Sequence, residues 1–417
     1  MLSAFRRYRH IEKSILLLIA AEFFIQLINA SFMLILNIYM DKQGYPDYLI
    51  ADFVSYRFAG VILFALPLGL YIRGKKLLPL FTVSGILSPS SAFAAIIGVS
   101  AKIDWLIYLS LSLWGIGFTC FQVSVLPFIL RNGKAETRSE AISLSYSTWS
   151  LSNIIAGFFI FSASRAFPAV FSEHNMLLLF TLSGFASLYF IFKIGGKESV
   201  IHREDTETIT AHTDSRFDWK LIVKALTPSL IIAVGAGLTI PFINLFFYKV
   251  HHLDSGTFSL IGSFSAVLVT FCAMAIPQIK RKYGYPIAIT LSQSLAVAAL
   301  ALMASTEYYS NLSWAVYAAV LFYLLRQPLM NMAGPMTSEL MMSYVGKKNQ
   351  EIVSALIACI WSGSWFISSK IFMLMRLAEM RYGSIFLVTA CIYVAGVCWY
   401  YYLIRDFNRR NSIPGEY

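Results

Sequence analysis

Charged side chains are scarce in this chain. Of its 417 residues, 13% are Asp, Glu, Lys or Arg and 58% are hydrophobic, and the mean hydropathy is +0.66. An ordinary soluble domain carries about 25% charged residues. The shortage of charge excludes a soluble globular protein and indicates that most of the chain lies inside a lipid bilayer.

Sequence motifs of soluble catalysis are also absent. The chain has no phosphate-binding P-loop, no HExxH zinc motif, no GxSxG nucleophile motif and no dinucleotide fingerprint. Its five cysteines lie in apolar runs without CxxC spacing or a histidine neighbour, which predicts buried structural thiols rather than a metal or redox site. The sequence therefore predicts a protein that is not an enzyme and that needs no cofactor and no metal.

Long apolar runs make up most of the chain. Each is about 20 residues long, enough to cross the hydrocarbon core as an α-helix, and none alternates in the manner of a membrane β-strand. We predict an all-α integral membrane protein with twelve transmembrane helices. The predicted spans are residues 14–38, 48–72, 77–100, 105–130, 140–163, 175–194, 227–248, 255–279, 286–305, 311–335, 352–375 and 383–404.

Basic residues are distributed unevenly between the two sides of these spans. With the N-terminus placed in the cytoplasm, the cytoplasmic segments hold 24 of the 33 Lys and Arg residues and the outer loops hold six. This bias follows the positive-inside rule and predicts cytoplasmic termini in a cell inner or plasma membrane. It also accounts for the net charge of +11 without nucleic acid as a partner. The first apolar run is predicted to be retained, because no small-residue cleavage site accompanies it.

The two halves of the chain repeat each other. Three polar residues near the end of the first span recur 207 residues later, and Pro127 recurs as Pro335 after 208. The three pairs are Asn37 with Asn244, Lys42 with Lys249, and Asp47 with Asp254. Both copies run in the same direction through the membrane, because an even number of spans separates them.

A polar, partly acidic stretch separates the two copies. The predicted domains are an N-terminal six-helix half at 1–194, a cytoplasmic linker at 195–226 and a C-terminal six-helix half at 227–417. Within the linker, residues 217–226 could form an amphipathic helix on the inner membrane surface or an ordinary solvated loop.

A glycine and basic motif lies between the second and third spans. The run PLGLYIRGKK has Gly74, Lys75 and Lys76 where the major facilitator superfamily has the end of its Gly-x-x-x-Asp-x-x-Gly-Arg-Lys signature, but Pro67 and Tyr71 replace the glycine and the acid. Because of this partial motif and its two parallel six-helix halves, the chain resembles that family over nearly its whole length. The resemblance implies two pseudo-symmetric halves around a central cavity and transport by alternating access. The missing acid puts the family's usual inner salt bridge in doubt.

The first span carries one polar helical face. Glu22, Gln26, Asn29, Met33 and Asn37 follow each other at steps of three or four residues. The resemblance implies that helices 1, 4, 7 and 10 line the cavity, which would turn this face inwards. Glu22 is a candidate for proton coupling, and the alternative is a permanently ionised structural carboxylate.

Arginines inside the membrane are the second sign of function. Arg326 lies in the apolar run FYLLRQPLMNMAGP, at a depth that would allow an ion pair with Glu22, and Arg57 lies in the middle of the second span. Such residues commonly mark a solute pathway, although a structural arginine is the alternative. The excess of basic groups over Glu22 favours an anionic or zwitterionic solute. The predicted substrate-binding residues are Gln26, Asn29, Arg57, Gln122, Asn153, Arg326, Asn331, Trp361 and Trp365.

Three functions are compatible with these patterns. The first is a secondary transporter, a symporter or antiporter, driven by a gradient because no ATP-binding motif is present. The second is a multidrug efflux antiporter, and the third is a non-transporting membrane receptor. The predicted partners are a small-molecule substrate, protons or another ion, and the lipid bilayer, and the protein is predicted to be a monomer.

Overall fold

A computed structural model describes residues 11–72, 75–134, 136–195, 218–346 and 349–411. Over these ranges the secondary structure is helical. Twelve long helices, some of them with a short π or 3₁₀ segment, follow each other in chain order. They are α1 (Lys13–Lys42), α2 (Asp47–Tyr71), α3 (Leu78–Ala101), α4 (Asp104–Asn132), α5 (Arg138–Ala166), α6 (Glu173–Ile194), α7 (Trp219–Val250), α8 (Ser255–Tyr285), α9 (286–309), α10 (Ala315–Val345), α11 (Gln350–Leu377) and α12 (Tyr382–Asn411).

These twelve helices confirm the predicted all-α class and the predicted number of helices. By length and composition alone, nine stretches of the described residues are suited to crossing a membrane. Most boundaries move outwards, because polar residues at the ends of an apolar run can continue its helix. The predicted linker falls mostly outside the described residues, as does Gly74 of the signature motif.

The start of α7 corrects one prediction. Residues 219–226 do not form a separate surface helix or a loop, since they are the first two turns of the continuous helix Trp219–Thr239. Asp218 caps this helix by accepting a hydrogen bond from the Leu221 amide at 3.1 Å. The cap satisfies one of the free amides at a helix N-terminus and fixes the start eight residues earlier than hydropathy alone indicates.

Irregular turns interrupt α1 and α7 at related positions. A π turn occupies Phe32–Leu36 in α1, and a 3₁₀ turn occupies Ile240–Phe242 in α7. The two interruptions overlap under the 207-residue shift of the sequence repeat. Turns of this kind inside a helix are frequent at functional sites. The π turn in α1 begins three residues after Asn29 of the polar face.

The chain divides into two compact units. One is Met1–Ser215 with Ser255–Ser263, and the other is Arg216–Asp254 with Phe264–Tyr417. In the first unit, apolar side chains of α1, α3, α4 and α6 form a continuous core that includes Leu18, Phe81, Phe121 and Ile191. This core holds α1 and α4 in a fixed relation, and both of these helices contribute to the candidate site.

Close backbone contact joins α2 to α4. A Cβ atom on Gly60 would meet the carbonyl oxygen of Ser112, and a Cβ on Gly115 would meet that of Arg57. Small residues permit this approach between membrane helices. This contact between the helices places the side chain of Arg57 in α2 next to Trp114 of α4.

The end of α2 shows what replaces the missing acid of the signature motif. Lys75 lies over the Tyr71 ring, with 3.7 Å between its Nζ and the ring centre. Arg131 of α4 donates to the carbonyls of Ile72 and Lys75 at 2.9 and 2.7 Å. A cation–π contact and an arginine that donates to carbonyls at and just after the end of α2 are therefore found at the position of the missing acid.

In the second unit, Asp406 of α12 joins three helices. Lys224 of α7 lies 2.9 Å from its Oδ2, the Tyr344 hydroxyl of α10 donates to the same oxygen at 2.6 Å, and Arg410 lies 3.1 Å away on α12 itself. The shared carboxylate fixes these helix ends relative to one another.

At the start of α1, Glu12 ties the chain to the segment before α5. Its carboxylate accepts from the Lys134 amide at 3.0 Å and from the Thr137 hydroxyl at 3.2 Å. Burial works to raise the pKa of Glu12, but these hydrogen bonds prevail and hold it below the ordinary 4.5. A group with a lowered folded-state pKa stabilises the fold above its unfolded pKa and loses that contribution as the pH falls.

We therefore expect Glu12→Gln to lower the melting temperature at neutral pH and to flatten its decline on acidification. The measurement is the melting temperature of both proteins between pH 7 and pH 3. Thr137→Val is the matched control, because it keeps the carboxylate, removes one donor and should give an intermediate profile. Identical declines for wild type and Glu12→Gln would show that the two hydrogen bonds add no stability.

Candidate functional site

A cavity of about 380 Å³ lies within the first unit, between α1, α4 and α5. Its walls include aromatic side chains, Phe118, Tyr146 and Trp149. A small number of polar groups converge on it, which is the usual composition of a small-molecule site. The polar lining residues are Glu22, Gln26, Asn29, Gln122, Ser145 and Thr148.

Helix α1 supplies the most buried polar wall. Glu22, Gln26 and Asn29 are each 4–6% exposed. Their spacing of four and three residues places them on one helical face, and the structure turns that face to the cavity as the sequence pattern indicates.

Glu22 lies among hydroxyl groups. Its Oε2 accepts from Ser145 Oγ at 2.6 Å, and Thr148, whose hydroxyl donates to the Ser145 carbonyl at 2.7 Å, lies nearby. Within the part of the chain that the structure describes, neither Lys nor Arg pairs with it. Burial disfavours a charged carboxyl while hydroxyl donors favour it. The protonation of Glu22 can therefore respond when a ligand or solvent changes its surroundings.

A chain of hydrogen bonds extends along the same wall. Arg57 Nη2 donates to Asn29 Oδ1, and Asn29 Nδ2 donates to Gln26 Oε1 at 3.3 Å. The guanidinium thus connects to the cavity through two amides. We call Arg57, Asn29 and Gln26 the amide relay.

Aromatic side chains enclose the guanidinium of Arg57. Its carbon lies 4.0 Å from the ring centre of Trp114 and 5.7 Å from that of Phe118, and Nη1 lies 3.7 Å from Met33 Sδ. No carboxylate among the described residues pairs with it. Arg57 itself does not line the cavity, but Asn29 and Phe118, which both contact it, do.

The second unit holds a different buried arginine. Arg326 is 1% exposed, donates from Nη1 to Gln327 Oε1 at 2.7 Å and from Nη2 to the Tyr393 hydroxyl at 3.3 Å. Its Nε has no hydrogen-bond partner in the described ranges. A buried donor without a partner costs free energy, so this guanidinium retains capacity for an additional acceptor. The predicted ion pair would join Glu22 and Arg326 of separate units, but the hydrogen bonds of Glu22 and Arg326 in this structure go to other residues.

Several solved structures that superpose on this chain are membrane transporters. No protein-family profile and no curated protein matches the sequence. A D-xylose–proton symporter superposes with a TM-score of 0.74 at 12% identity, covering 93% of this chain and 96% of its own. A nucleoside transporter gives 0.72 at 11% identity, with 94% and 99% covered. A bacterial homologue of the iron transporter ferroportin gives 0.72 at 12%, with 94% and 98% covered.

This chain has the major facilitator superfamily fold. The fold predicted from the repeated halves and the degenerate glycine motif is thereby confirmed. At identities of 11–12% the similarity extends to the fold and not to a substrate.

In this major facilitator fold the remaining predicted site residues differ in whether they line the cavity. Gln122 lines the cavity and is exposed. Asn153 does not line the cavity, and its Nδ2 donates to the Trp149 carbonyl of its own helix at 2.8 Å. Asn331 is exposed and donates to the Gln327 carbonyl at 2.8 Å.

The two tryptophans of α11 lie in the second unit. The ring centres of Trp361 and Trp365 are 6.5 Å apart, and Trp361 is 38% exposed. The backbone of Trp365 approaches Gly237 so closely that a Cβ there would meet its Cα at 3.0 Å. This segment therefore packs against α7 in addition to presenting an exposed ring.

Several lining residues of α5 were not among the predicted binding residues. Ser145 donates a hydrogen bond to Glu22, Thr148 lines the cavity beside it, and the 45% exposed side chain of Trp149 forms part of the cavity wall. The run SLSYSTWS carries the relevant signal, since hydroxyls three residues apart in a membrane helix share one face.

The cysteines depart from the prediction of buried thiols. Cys120 is buried and Cys272 is partly exposed, but Cys359, Cys391 and Cys398 are exposed on α11 and α12. In a membrane helix an exposed apolar side chain can face lipid, so hydropathy does not distinguish it from a buried one. Across the described ranges, no group of three or more His, Cys, Asp or Glu residues is arranged to hold a metal ion.

Proposed function

We propose that this protein is a secondary transporter that moves a small organic anion or zwitterion across the membrane by alternating access, coupled to protons through Glu22. The observation that supports this most is the cavity of the first unit, where a buried carboxyl without a basic partner in the described residues lies beside two amides. The transporter fold supports the same assignment at the level of architecture.

The size and lining of the cavity suit a small organic solute. Its volume of about 380 Å³ falls within the range of about 300–1,000 Å³ for ligand pockets. The aromatic rings of Phe118 and Trp149 can cover an apolar body, while Gln26 and Gln122 offer polar groups. Polar groups at membrane depth are costly unless function requires them.

Charge favours an anionic group on the solute. Two guanidinium groups, that of the partly buried Arg57 and that of the buried Arg326, have no carboxylate partner among the described residues. Arginine remains protonated in proteins and is suited to binding planar carboxylates. Glu22 is the candidate for the proton, because it can exchange one without breaking an ion pair.

Efflux of lipophilic compounds is the second candidate. Tyr146 and Trp149 are 74% and 45% exposed at the cavity, and a carboxyl near aromatic faces can also hold a lipophilic cation. A receptor without transport activity would not require polar groups on three helices around one cavity.

A panel of ligands tests the proposal on the purified protein. Melting temperatures are measured with small organic anions, amino acids and lipophilic ammonium compounds, each at several concentrations. Saturable stabilisation by an anion or zwitterion is expected. Stabilisation by ammonium compounds alone would establish the efflux alternative, and no stabilisation by any member would oppose a solute site.

Orientation is a separate prediction of the proposed plasma-membrane location. Tags at either terminus and within 195–218 should react with an impermeant reagent only after the membrane is opened, because the basic-residue count is 24 to six in favour of that side. Tags in the outer loops, for example at 168–171, are the control and should react in intact cells. A terminus labelled from outside would overturn this topology.

A further inference from the structure

The orientation of the two amides in the relay follows from hydrogen-bond chemistry. A guanidinium only donates hydrogen bonds, so the Asn29 side chain must direct its oxygen to Arg57. Its nitrogen then donates to Gln26, and the Gln26 oxygen is the acceptor. The Gln26 NH₂ group is the end of the relay farthest from Arg57, and it remains available to donate a hydrogen bond.

This NH₂ group faces the cavity. Gln26 lines the cavity wall, and its Nε2 makes no hydrogen bond to any residue that the structure describes, although it is not sealed from the cavity space. The unused NH₂ donor of Gln26 therefore indicates that the ligand carries a hydrogen-bond acceptor.

We propose that Arg57 is a positioning residue that sets the hydrogen-bond polarity of the cavity: through Asn29 it makes Gln26 present its NH₂ group, so that the site selects a solute carrying an oxygen acceptor such as a carboxylate. This deepens the proposed function and rests on it for the transport of that solute. The orientation of Gln26 itself can be measured without transport.

The position of Arg57 suits this role better than direct contact with the solute. Trp114 covers its guanidinium at 4.0 Å, and the close approach of Gly115 to the Arg57 carbonyl holds the backbone in place. A fixed donor behind the wall orients the amides in advance, which lowers the entropic cost of binding.

The same geometry connects the solute to Glu22. Residues four apart on a helix have Cβ atoms about 5–6 Å from each other, so a carboxylate bound at Gln26 lies close to the Glu22 carboxyl. A like charge at that distance disfavours the ionised carboxyl. Binding of the acceptor group at Gln26 therefore promotes proton uptake at Glu22.

The test follows the Gln26 side-chain amide by NMR in full-length protein labelled with ¹⁵N at glutamine side chains. Gln26→Met identifies the signal by its loss. Sodium acetate is the acceptor probe and methylammonium chloride is the donor probe. In the wild type, acetate should shift the Gln26 NH₂ signal saturably, while methylammonium at equal ionic strength should not.

Two variants break the relay in different ways. Arg57→Met removes the donor, and Asn29→Asp keeps a partner for Arg57 but removes the NH₂ group that fixes Gln26. Both should weaken the acetate response about tenfold, as expected for the loss of an oriented hydrogen bond to a charged group. Asn153→Leu, which removes an amide of the same unit outside the relay, should leave the response unchanged.

Stability separates positioning from a structural role. Arg57→Met should lower the melting temperature, whereas Asn29→Asp should not, because it supplies a carboxylate to Arg57. An acetate response weakened about tenfold in both variants confirms the proposal. A response that persists in Asn29→Asp, or that is missing from the wild type, would overturn it even if the protein proves to be a transporter.

Discussion

Replacing Glu22 by glutamine is expected to abolish accumulation of the transported solute under an imposed proton gradient while preserving solute exchange. The neutral amide resembles only the protonated carboxyl and cannot release a proton. The carboxyl hydrogen-bonds Ser145 at 2.6 Å, and an amide oxygen can accept the same bond, so the fold should persist. The measurement compares net accumulation with counterflow of labelled solute in proteoliposomes.

Two variants serve as controls for Glu22. Glu12→Gln removes a carboxyl at the start of the same helix but outside the cavity, and it should leave accumulation intact. Ser145→Ala removes one donor to Glu22 and should shift the pH dependence of accumulation without abolishing it. Full accumulation by Glu22→Gln at several pH values would assign Glu22 a structural role.

Under the hypothesis that Arg326 of the second unit binds an anionic group of the solute, replacing it by lysine is expected to weaken solute binding about 100-fold. The planar guanidinium of Arg326 can form two hydrogen bonds with a carboxylate, and the point charge of lysine cannot reproduce them. Each such bond to a charged group contributes about 1.5–3 kcal/mol. Binding and melting temperature are measured on Arg326→Lys and Arg326→Ala.

Tyr393→Phe is the matched control for Arg326. It removes the hydroxyl that accepts from Nη2 at 3.3 Å and leaves the ring and the guanidinium in place. It should lower stability slightly and retain most of the binding. If Arg326→Ala folds and binds solute normally, Arg326 does not belong to the site.

The twelve helices could be predicted because hydropathy and length act locally along the chain. Twenty apolar residues can satisfy their backbone in lipid only as a helix, and no distant contact is needed to decide it. The start of α7 could not be predicted in this way, since Lys220 and Lys224 interrupt the apolar pattern and the Asp218 cap fixes the boundary.

The polar face of α1 could also be predicted from the sequence, because the spacing of Glu22, Gln26 and Asn29 alone places them on one side of a helix. The partner of Arg57 was not. Asn29 lies 28 residues away on another helix, and only the packing of α2 on α4 and α1 brings the two side chains together. The same limit applies to Ser145, whose contact with Glu22 spans 123 residues.

Uptake into proteoliposomes tests the central claim most directly. Purified protein is reconstituted, a proton gradient is imposed, and labelled small carboxylates and amino acids are followed with and without an uncoupler. We predict that at least one accumulates above its equilibrium level, and that the uncoupler abolishes this accumulation. Fluxes no greater than those of protein-free liposomes, across the anions and zwitterions that stabilise the protein, would contradict the account.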